Sequence, residues 1–208
     1  MASGKAKVFA NQDTIQVPKK IDSKADKEIY NFREALPIAV NKIRFLKNKL
    51  ADNIPKKELE IFESYSAMIN DPEVVEKTIN LIETENCNVS YAYYKVSKEF
   101  IDALEQVDDS YLKERVEDLK MITKMIIDIL QGNSSISEDL DSPVIIVAEK
   151  INTNQLSELN HSNLLGIVTA KGGVTDHASI IAKALGIPYL LEVKEVIEKI
   201  KTNDLLVI

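Results

Sequence analysis

Apolar residues recur at helical spacing through the middle of the chain, from residue 23 to about residue 131. The first stretch extends from Ile29 to Leu50, and Pro37 within it predicts a kink or a break. The spacing of apolar residues and the presence of helix-boundary residues indicate that further helices follow Pro55, Asp71-Pro72, Ser90 and Tyr111. Gly132 predicts the end of the last helix. We therefore predict that residues 23–132 form an all-α region.

The pattern changes after the polar segment of residues 132–142, where short β-rich runs alternate with short helical patterns. The strand-like runs are PVIIVAE (143–149), LLGIVTA (164–170), PYLLEV (188–193) and DLLVI (204–208). The helical patterns occupy residues 153–159, 177–185 and 193–200. This alternation is typical of an α/β domain, and KAKVFA (5–10) predicts one more strand in the same sheet. Residues 1–20 and 143–208 are predicted to form that domain, with residues 23–132 inserted as an α-helical subdomain.

Composition narrows the classes of partner. The chain has 26 Lys and Arg against 33 Asp and Glu, and its net charge of −7 argues against nucleic acid or an anionic membrane as a main partner. No apolar segment is long enough to span a bilayer, and the N-terminus lacks the apolar core of a signal peptide. Cys87 is the only cysteine, which excludes an intramolecular disulfide. These features favour a cytoplasmic protein.

The main candidate for a functional segment is GGVTDHASIIAKALGIP, residues 172–188, which contains one of the two histidines of the chain. Gly172 and Gly173 follow a predicted strand and indicate a turn that needs backbone freedom. The next helix is predicted to begin at His177, with Thr175 or Asp176 as the N-cap, and to end before a glycine and a proline. His177 therefore falls in the first helical turn, where free N–H groups and the positive end of the helix dipole lie.

This placement suits a histidine that carries a phosphoryl group. The dipole favours the neutral, nucleophilic imidazole, and a phosphoryl dianion would lie beside N–H donors. Gly172 and Gly173 would let the backbone approach the phosphate, Thr175 offers a hydroxyl, and Lys183 would need to reach from another helix face. On these residues alone the pattern is weak, and it favours a histidine that merely caps or packs the helix over a phosphoryl carrier. A metal site or a serine nucleophile fits the pattern poorly.

The same segment resembles the phosphohistidine signature of the PEP-utilising enzymes, in which the residue at the position of His177 carries the phosphoryl group. Three further segments are similar to enzyme I of the PEP-dependent sugar phosphotransferase system: IFESYSAMINDPE (61–73), DDSYLKERVEDLKMI (108–122) and GIPYLLEVKEVIEKIKTNDLLVI (186–208). The resemblance implies an α/β phosphohistidine (swivelling) domain with an inserted all-α helical subdomain. It also implies phosphoryl transfer from phosphoenolpyruvate to a histidine of the phosphocarrier protein HPr.

The resemblance further implies where the partners bind. The HPr-docking surface of the family corresponds to Met68, Asp71, Glu73, Val74, Leu112 and Arg115. For Asp71 and Glu73, an ordinary role as acids at a helix end is the alternative. Phosphoenolpyruvate and Mg²⁺ bind to a C-terminal domain of enzyme I, so we expect no cofactor in this chain and no autophosphorylation by the chain alone.

Several positions depart from the family pattern. Family members usually have Arg where Val174 stands, Ser where Asp176 stands, Thr where Leu156 stands and Arg where Lys183 stands. A negative charge at Asp176 would oppose a phosphoryl dianion on the next residue unless it points away. Two alternatives therefore stay open: a degenerate module that binds HPr or another protein without transfer, and the enzyme I-like segment of a dihydroxyacetone kinase phosphotransfer subunit.

Overall fold

A computed structural model describes residues 2–9, 15–19, 24–52, 54–132, 140, 142–159, 161–174 and 176–208, without the side chains of residues 110–114, 154, 157, 158 and 161. The chain divides into two compact units. The first unit comprises Met1–Asp13, Asn48–Leu59 and Ile136–Ile208, and the second comprises Thr14–Lys47 and Glu60–Ser135. The chain therefore leaves the first unit after its first strand, re-enters it at Asn48–Leu59, and returns to it again before its second strand.

Five helices account for the predicted all-α region. They are α1 (Ala25–Leu50), α2 (Lys56–Ile69), α3 (Pro72–Glu85), α4 (Val89–Glu105) and α5 (Ser110–Leu130). Helix α1 continues through Pro37, so the predicted alternative of a break there is wrong. Pro37 and Arg33 are both exposed, and water can therefore satisfy the carbonyl that lacks an N–H donor.

Side chains at the helix starts explain why these helices begin where they do. The Asp71 carboxylate accepts hydrogen bonds from the backbone N–H of Glu73 and Val74, and Pro72 occupies the first turn. Asn88 caps α4 in the same way by accepting from the Ser90 N–H at 2.8 Å. The core of this unit is apolar, with Phe32, Phe62, Tyr65, Ile82, Ile122 and Ile126 among its fully buried side chains.

The first unit contains a five-stranded sheet of β1 (Ser3–Phe9), β2 (Val144–Ala148), β3 (Leu164–Thr169), β4 (Tyr189–Leu190) and β5 (Leu205–Val207). The strand order is β4-β3-β2-β1-β5, with β1 to β4 parallel and β5 antiparallel to β1. The predicted N-terminal strand in this sheet is confirmed. Every residue of β2 is buried, as expected for a central strand of a parallel sheet covered on both faces.

Short helices connect the strands: α6 (Thr153–Glu158), a 3₁₀ turn (His161–Asn163), α7 (His177–Ala184) and α8 (Val196–Lys199). Strand β4 and helix α8 are shorter than the sequence predicts. Glu192 and Glu195 adopt positive φ angles of 57° and 59°, which are incompatible with strand or helix geometry. No helix in the described part of the chain is long and apolar enough to cross a membrane.

Candidate functional site

The carboxyl ends of the parallel strands β2 and β3 lie side by side. Ala148 pairs with Thr169 at the end of the ladder, and the pairing continues when Lys171 N–H donates to the Glu149 carbonyl at 2.8 Å. The segments that leave both strands therefore stay together at this edge of the sheet. In open α/β sheets this edge is where ligands bind, because loops and helix N-termini converge there.

His177 is the first residue of α7, and a glycine turn connects it to the end of β3. Gly172 has a φ of 123°, a conformation that residues with a side chain rarely adopt. The Gly173 carbonyl accepts hydrogen bonds from the Asp176 N–H at 3.1 Å and from the Ser179 hydroxyl at 2.8 Å. Because Ser179 is buried, these two bonds tie the turn to the helix and fix where the half-buried His177 stands.

The far end of α7 is closed by a complete C-terminal motif. Gly186 has a φ of 70°, its N–H donates to the Lys183 carbonyl, and the Ile187 N–H donates to the Ala182 carbonyl at 2.9 Å. The helix boundaries predicted from the sequence are therefore confirmed at both ends. Helix α7 also packs against α6 and β4, and its Ala178, Ile181 and Ala182 are buried.

Asp176 occupies the N-cap position of α7, but its carboxylate makes no capping hydrogen bond. Instead, Asp176 Oδ2 lies 3.8 Å from Lys150 Nζ, in the segment that follows β2. The same oxygen would lie 3.4 Å from a Cβ atom placed on Gly172. The carboxylate is thus turned under the glycine turn and toward a cation. Burial raises the pKa of Tyr189 on β4, and the negative charge of Asp176 adds to that effect.

The other predicted phosphate-binding residues have different surroundings. Lys183 is exposed in the last turn of α7, and Val174 is 80% exposed in the turn. Leu156 is fully buried on α6, where its aliphatic side chain cannot donate a hydrogen bond to an imidazole. Thr175 lies outside the described residues. The described part of the chain contains no group of three or more His, Cys, Asp and Glu side chains that could hold a metal ion.

Four of the predicted partner-binding residues meet at the corner between α2 and α3. The Met68 carbonyl accepts from the Asp71 N–H at 3.4 Å, and Asp71 in turn caps Glu73 and Val74. Met68 and Val74 are half-buried, and Glu73 forms an ion pair of 2.8 Å with Lys77. The ordinary capping role that the sequence allowed for Asp71 is therefore present, and this corner stands as one acidic and apolar surface.

Arg115 lies in a different environment, and the Leu112 side chain lies outside the described set. Arg115 Nη1 is 3.6 Å from Asp118 Oδ2, and the two side chains are only 22% and 10% exposed. The Tyr65 hydroxyl donates to the other carboxylate oxygen of Asp118 at 2.9 Å. Neither Asp118 as the partner of Arg115 nor Lys150 as the partner of Asp176 was predicted from the sequence. The spacing of Arg115 and Asp118 on one helix was a signal for the first, but no local pattern connects Lys150 to Asp176.

We predict that Gly172→Ala destabilises the first unit by about 1–3 kcal/mol, because alanine is strained at this φ. The new methyl group would contact Asp176 Oδ2 and Leu191 Cδ2 at 3.4 Å, an ordinary van der Waals distance, so the expected cost comes from the backbone strain. Urea unfolding followed by circular dichroism measures the loss. Gly132→Ala is a matched control, since Gly132 also has a positive φ, of 67°, but nothing lies within 4 Å of an added Cβ. If both variants retain the urea midpoint of the wild type, the backbone at Gly172 is less strained by a side chain than its φ angle implies.

Two sequence profiles of one family match the chain. The profile described as PEP-utilising enzyme, N-terminal, matches residues 1–115, and the profile described as PEP-utilising enzyme, mobile domain, matches residues 140–208. Together the two matched segments cover most of the chain.

Two curated relatives carry the same name. The phosphoenolpyruvate-protein phosphotransferase of Borreliella burgdorferi is 32% identical over 95% of this chain and 35% of that protein. The phosphoenolpyruvate-protein phosphotransferase of Mycoplasma capricolum is 29% identical over 92% of this chain and 34% of that protein. The chain thus spans about a third of the length of the curated relatives that it matches.

Solved structures agree with the fold. A solution structure of Enzyme I (nEIt) has a TM-score of 0.74 and 33% identity, covering 98% of this chain and 83% of that one. The N-terminal domain of a nitrogen Enzyme 1 has a TM-score of 0.67 at 23% identity and shares the fold. The predicted fold class, an α/β domain with an inserted helical subdomain, is confirmed.

Proposed function

The chain belongs to the PEP-utilising enzyme family, and from that premise we propose that it is the phosphoryl-carrying portion of an enzyme I, with His177 as the carrier. One observation supports this proposal above the others. His177 begins α7 at the carboxyl edge of a parallel sheet, and the glycine turn before it is tied down by Ser179. A helix N-terminus at this edge is suited to an anion, and a histidine placed there can hold a phosphoryl group.

The reaction is an exchange of one phosphoryl group between two imidazoles. A ring nitrogen of His177 attacks the phosphorus of a phosphohistidine on the partner, the new N–P bond forms as the partner's N–P bond breaks, and the partner's imidazole leaves. No oxidant, reductant or further co-reactant is needed. The contribution of the protein is positioning and stabilisation of the charge on the three phosphoryl oxygens. Backbone N–H groups of the first turn of α7, with Gly172, Gly173 and Thr175, are the proposed donors. Lys183, which the family resemblance implies as a further donor, lies in the last turn of α7 and would have to reach along the helix.

The proposed partner is a histidine-containing phosphocarrier of the HPr type. The corner of Met68, Asp71, Glu73 and Val74 combines half-buried apolar side chains with two acids, and a basic partner would compete with Lys77 for Glu73. We give Arg115 a structural role rather than a contact role, because it pairs with Asp118 inside the helical unit. Leu112 stays a proposed contact from the family resemblance.

Two further statements belong to this proposal. Phosphoenolpyruvate is the proposed phosphoryl source in a full-length protein, through a C-terminal domain that would also bring Mg²⁺, with no cofactor in this chain. A cytoplasmic location is proposed on the same basis. The binding-only alternative keeps one supporting observation, since Leu156 provides no hydrogen bond to the imidazole.

A transfer assay tests the proposal. HPr labelled with ³²P on its histidine is mixed with the chain, and we expect the label to move to the chain as an acid-labile, alkali-stable phosphoramidate. Mass spectrometry after tryptic digestion should place it on the peptide that contains His177. A double variant, Asp71→Ala and Glu73→Ala, tests whether this corner binds HPr. It should acquire the label more slowly than the wild type when HPr is limiting. A chain that binds phosphorylated HPr without acquiring label would establish the binding-only alternative instead.

A further inference from the structure

The phosphoryl site contains a charge that opposes its proposed function. Asp176 is the residue immediately before His177, and it stands where the resemblance leads us to expect serine. A carboxylate next to a phosphoryl dianion raises the free energy of the phosphorylated form, because like charges within a few ångströms repel. A chain that carries a phosphoryl group on His177 therefore needs a compensating feature.

The structure places a lysine ammonium group beside the Asp176 carboxylate. Lys150 Nζ is 3.8 Å from Asp176 Oδ2, and the two side chains are 34% and 31% exposed. Lys150 comes from the segment after β2, whereas Asp176 comes from the segment after β3, so the parallel sheet brings them together. The contact is partly shielded from water, which makes it stronger than a fully solvated pair.

The geometry of Asp176 is consistent with this pairing. Aspartate at an N-cap ordinarily accepts a hydrogen bond from a backbone N–H of the first helical turn. Asp176 does not, and its carboxylate lies under Gly172 on the side of Lys150. The Asp176 carboxylate thus does not cap the backbone N–H groups of α7, and its charge is offset by the lysine.

Two other lysines on the segments around His177 are differently placed. Lys171 forms an ion pair of 2.6 Å with Glu149, so the charges of those two residues offset each other. Lys183 is exposed in the last turn of α7, at the opposite end of the helix from His177. Lys150 is therefore the residue whose charge the fold directs to Asp176.

We propose that Lys150 is a positioning residue that offsets the charge of Asp176 and thereby supports a phosphoryl group on His177, so that Lys150 and Asp176 act as one unit. The inference rests on the proposed phosphoryl carrier. It explains how this chain accommodates an acid beside the carrier histidine. It also predicts that the effects of the two residues depend on each other. Asp176 should destabilise the phosphohistidine when Lys150 is absent, and Lys150 should contribute less to its stability when Asp176 is absent.

A double-mutant cycle tests this dependence. The proteins are the wild type, Lys150→Met, Asp176→Ser and the double variant K150M/D176S, with Lys201→Met, an exposed lysine between α8 and β5, as the control. Each is phosphorylated in two ways: by transfer from phosphorylated HPr, and by phosphoramidate, whose N–P bond breaks to release ammonia as the imidazole N–P bond forms. The readouts are the transfer rate and the half-life of the phosphohistidine at neutral pH. Circular dichroism confirms that every variant is folded.

We expect K150M to lower the transfer rate and the phosphohistidine half-life about three- to tenfold, a change of the size that a partly shielded charge pair produces. In the D176S background the same substitution should change them less than about twofold. The Lys201→Met control should match the wild type. An equal effect of K150M in both backgrounds, or no effect in either, would overturn the inference.

The two donors separate this inference from the proposed function. If phosphoramidate labels His177 and the cycle shows coupling while phosphorylated HPr transfers nothing, the inference holds and the HPr partner is wrong. If HPr transfers and the cycle shows no coupling, the function holds and the role of Lys150 is wrong. Failure of both donors to label His177 overturns both proposals.

Discussion

His177→Ala is expected to abolish transfer of label from phosphorylated HPr, down to the background of the assay. The variant removes the nitrogen that would form the N–P bond, and a methyl group has no nucleophilic atom. The fold should survive, because His177 is only half-buried and α7 is held by its apolar face and its glycine C-terminal motif. We expect the free energy of unfolding to change by less than about 1 kcal/mol.

The second histidine provides the matched control for this experiment. His161 lies in the 3₁₀ turn before β3, and nothing in the sequence around it resembles the glycine turn and helix of His177. His161→Ala should therefore accept label at the wild-type rate. Label that persists in the His177→Ala variant, or disappears in the His161→Ala variant, would contradict the assignment of the carrier. Since the chain has two histidines, the pair of variants covers every imidazole.

Asp118→Ala is expected to destabilise the helical unit by about 3 kcal/mol, because it removes the carboxylate that pairs with the partly buried Arg115 guanidinium. The Tyr65 hydroxyl loses its acceptor as well, and Tyr65 is among the largest fully buried side chains. Removal of one partner of a buried ion pair costs more than the pair contributes, since the other charge stays desolvated. Urea unfolding followed by far-ultraviolet circular dichroism measures the effect.

Tyr65→Phe is the control for that variant. It removes only the hydroxyl and its hydrogen bond to Asp118, so we expect a loss of about 1 kcal/mol. The difference between the two variants reports the part due to Arg115. If Asp118→Ala destabilises no more than Tyr65→Phe, Arg115 is not held by Asp118, and the arginine would again be a candidate contact for the partner protein.

Much of the helical unit follows from local pattern. Asp71-Pro72 and Gly132 mark helix ends in the sequence, and the structure places a cap, a first turn and a helix end at those residues. Pro37 shows the limit of such reasoning. A proline predicts disruption from the lost N–H donor and the ring clash, but whether the helix actually breaks depends on packing and on exposure of the freed carbonyl.

In the α/β unit, too, local pattern predicts some features and misses others. The alternating runs predict its strands and helices, and the resemblance to enzyme I supplies the topology. Yet β4 has only two residues where the sequence predicts a strand over 188–193. The apolar run continues to Val193, but Glu192 takes a left-handed conformation that ends the strand, and local propensity did not predict it.

The sequence by itself determined the turn, the helix and the position of His177, because glycine conformation, capping and helical spacing act over a few neighbouring residues. Only the tertiary structure decided what surrounds that histidine. Lys150 reaches Asp176 because the adjacent ends of two parallel strands bring residues 26 positions apart within 3.8 Å. Arg115 lies 3.6 Å from the largely buried Asp118, which also accepts a hydrogen bond from Tyr65, because α2 and α5 meet there. Long-range electrostatics and burial are properties of the assembled fold, so no local pattern could have specified them.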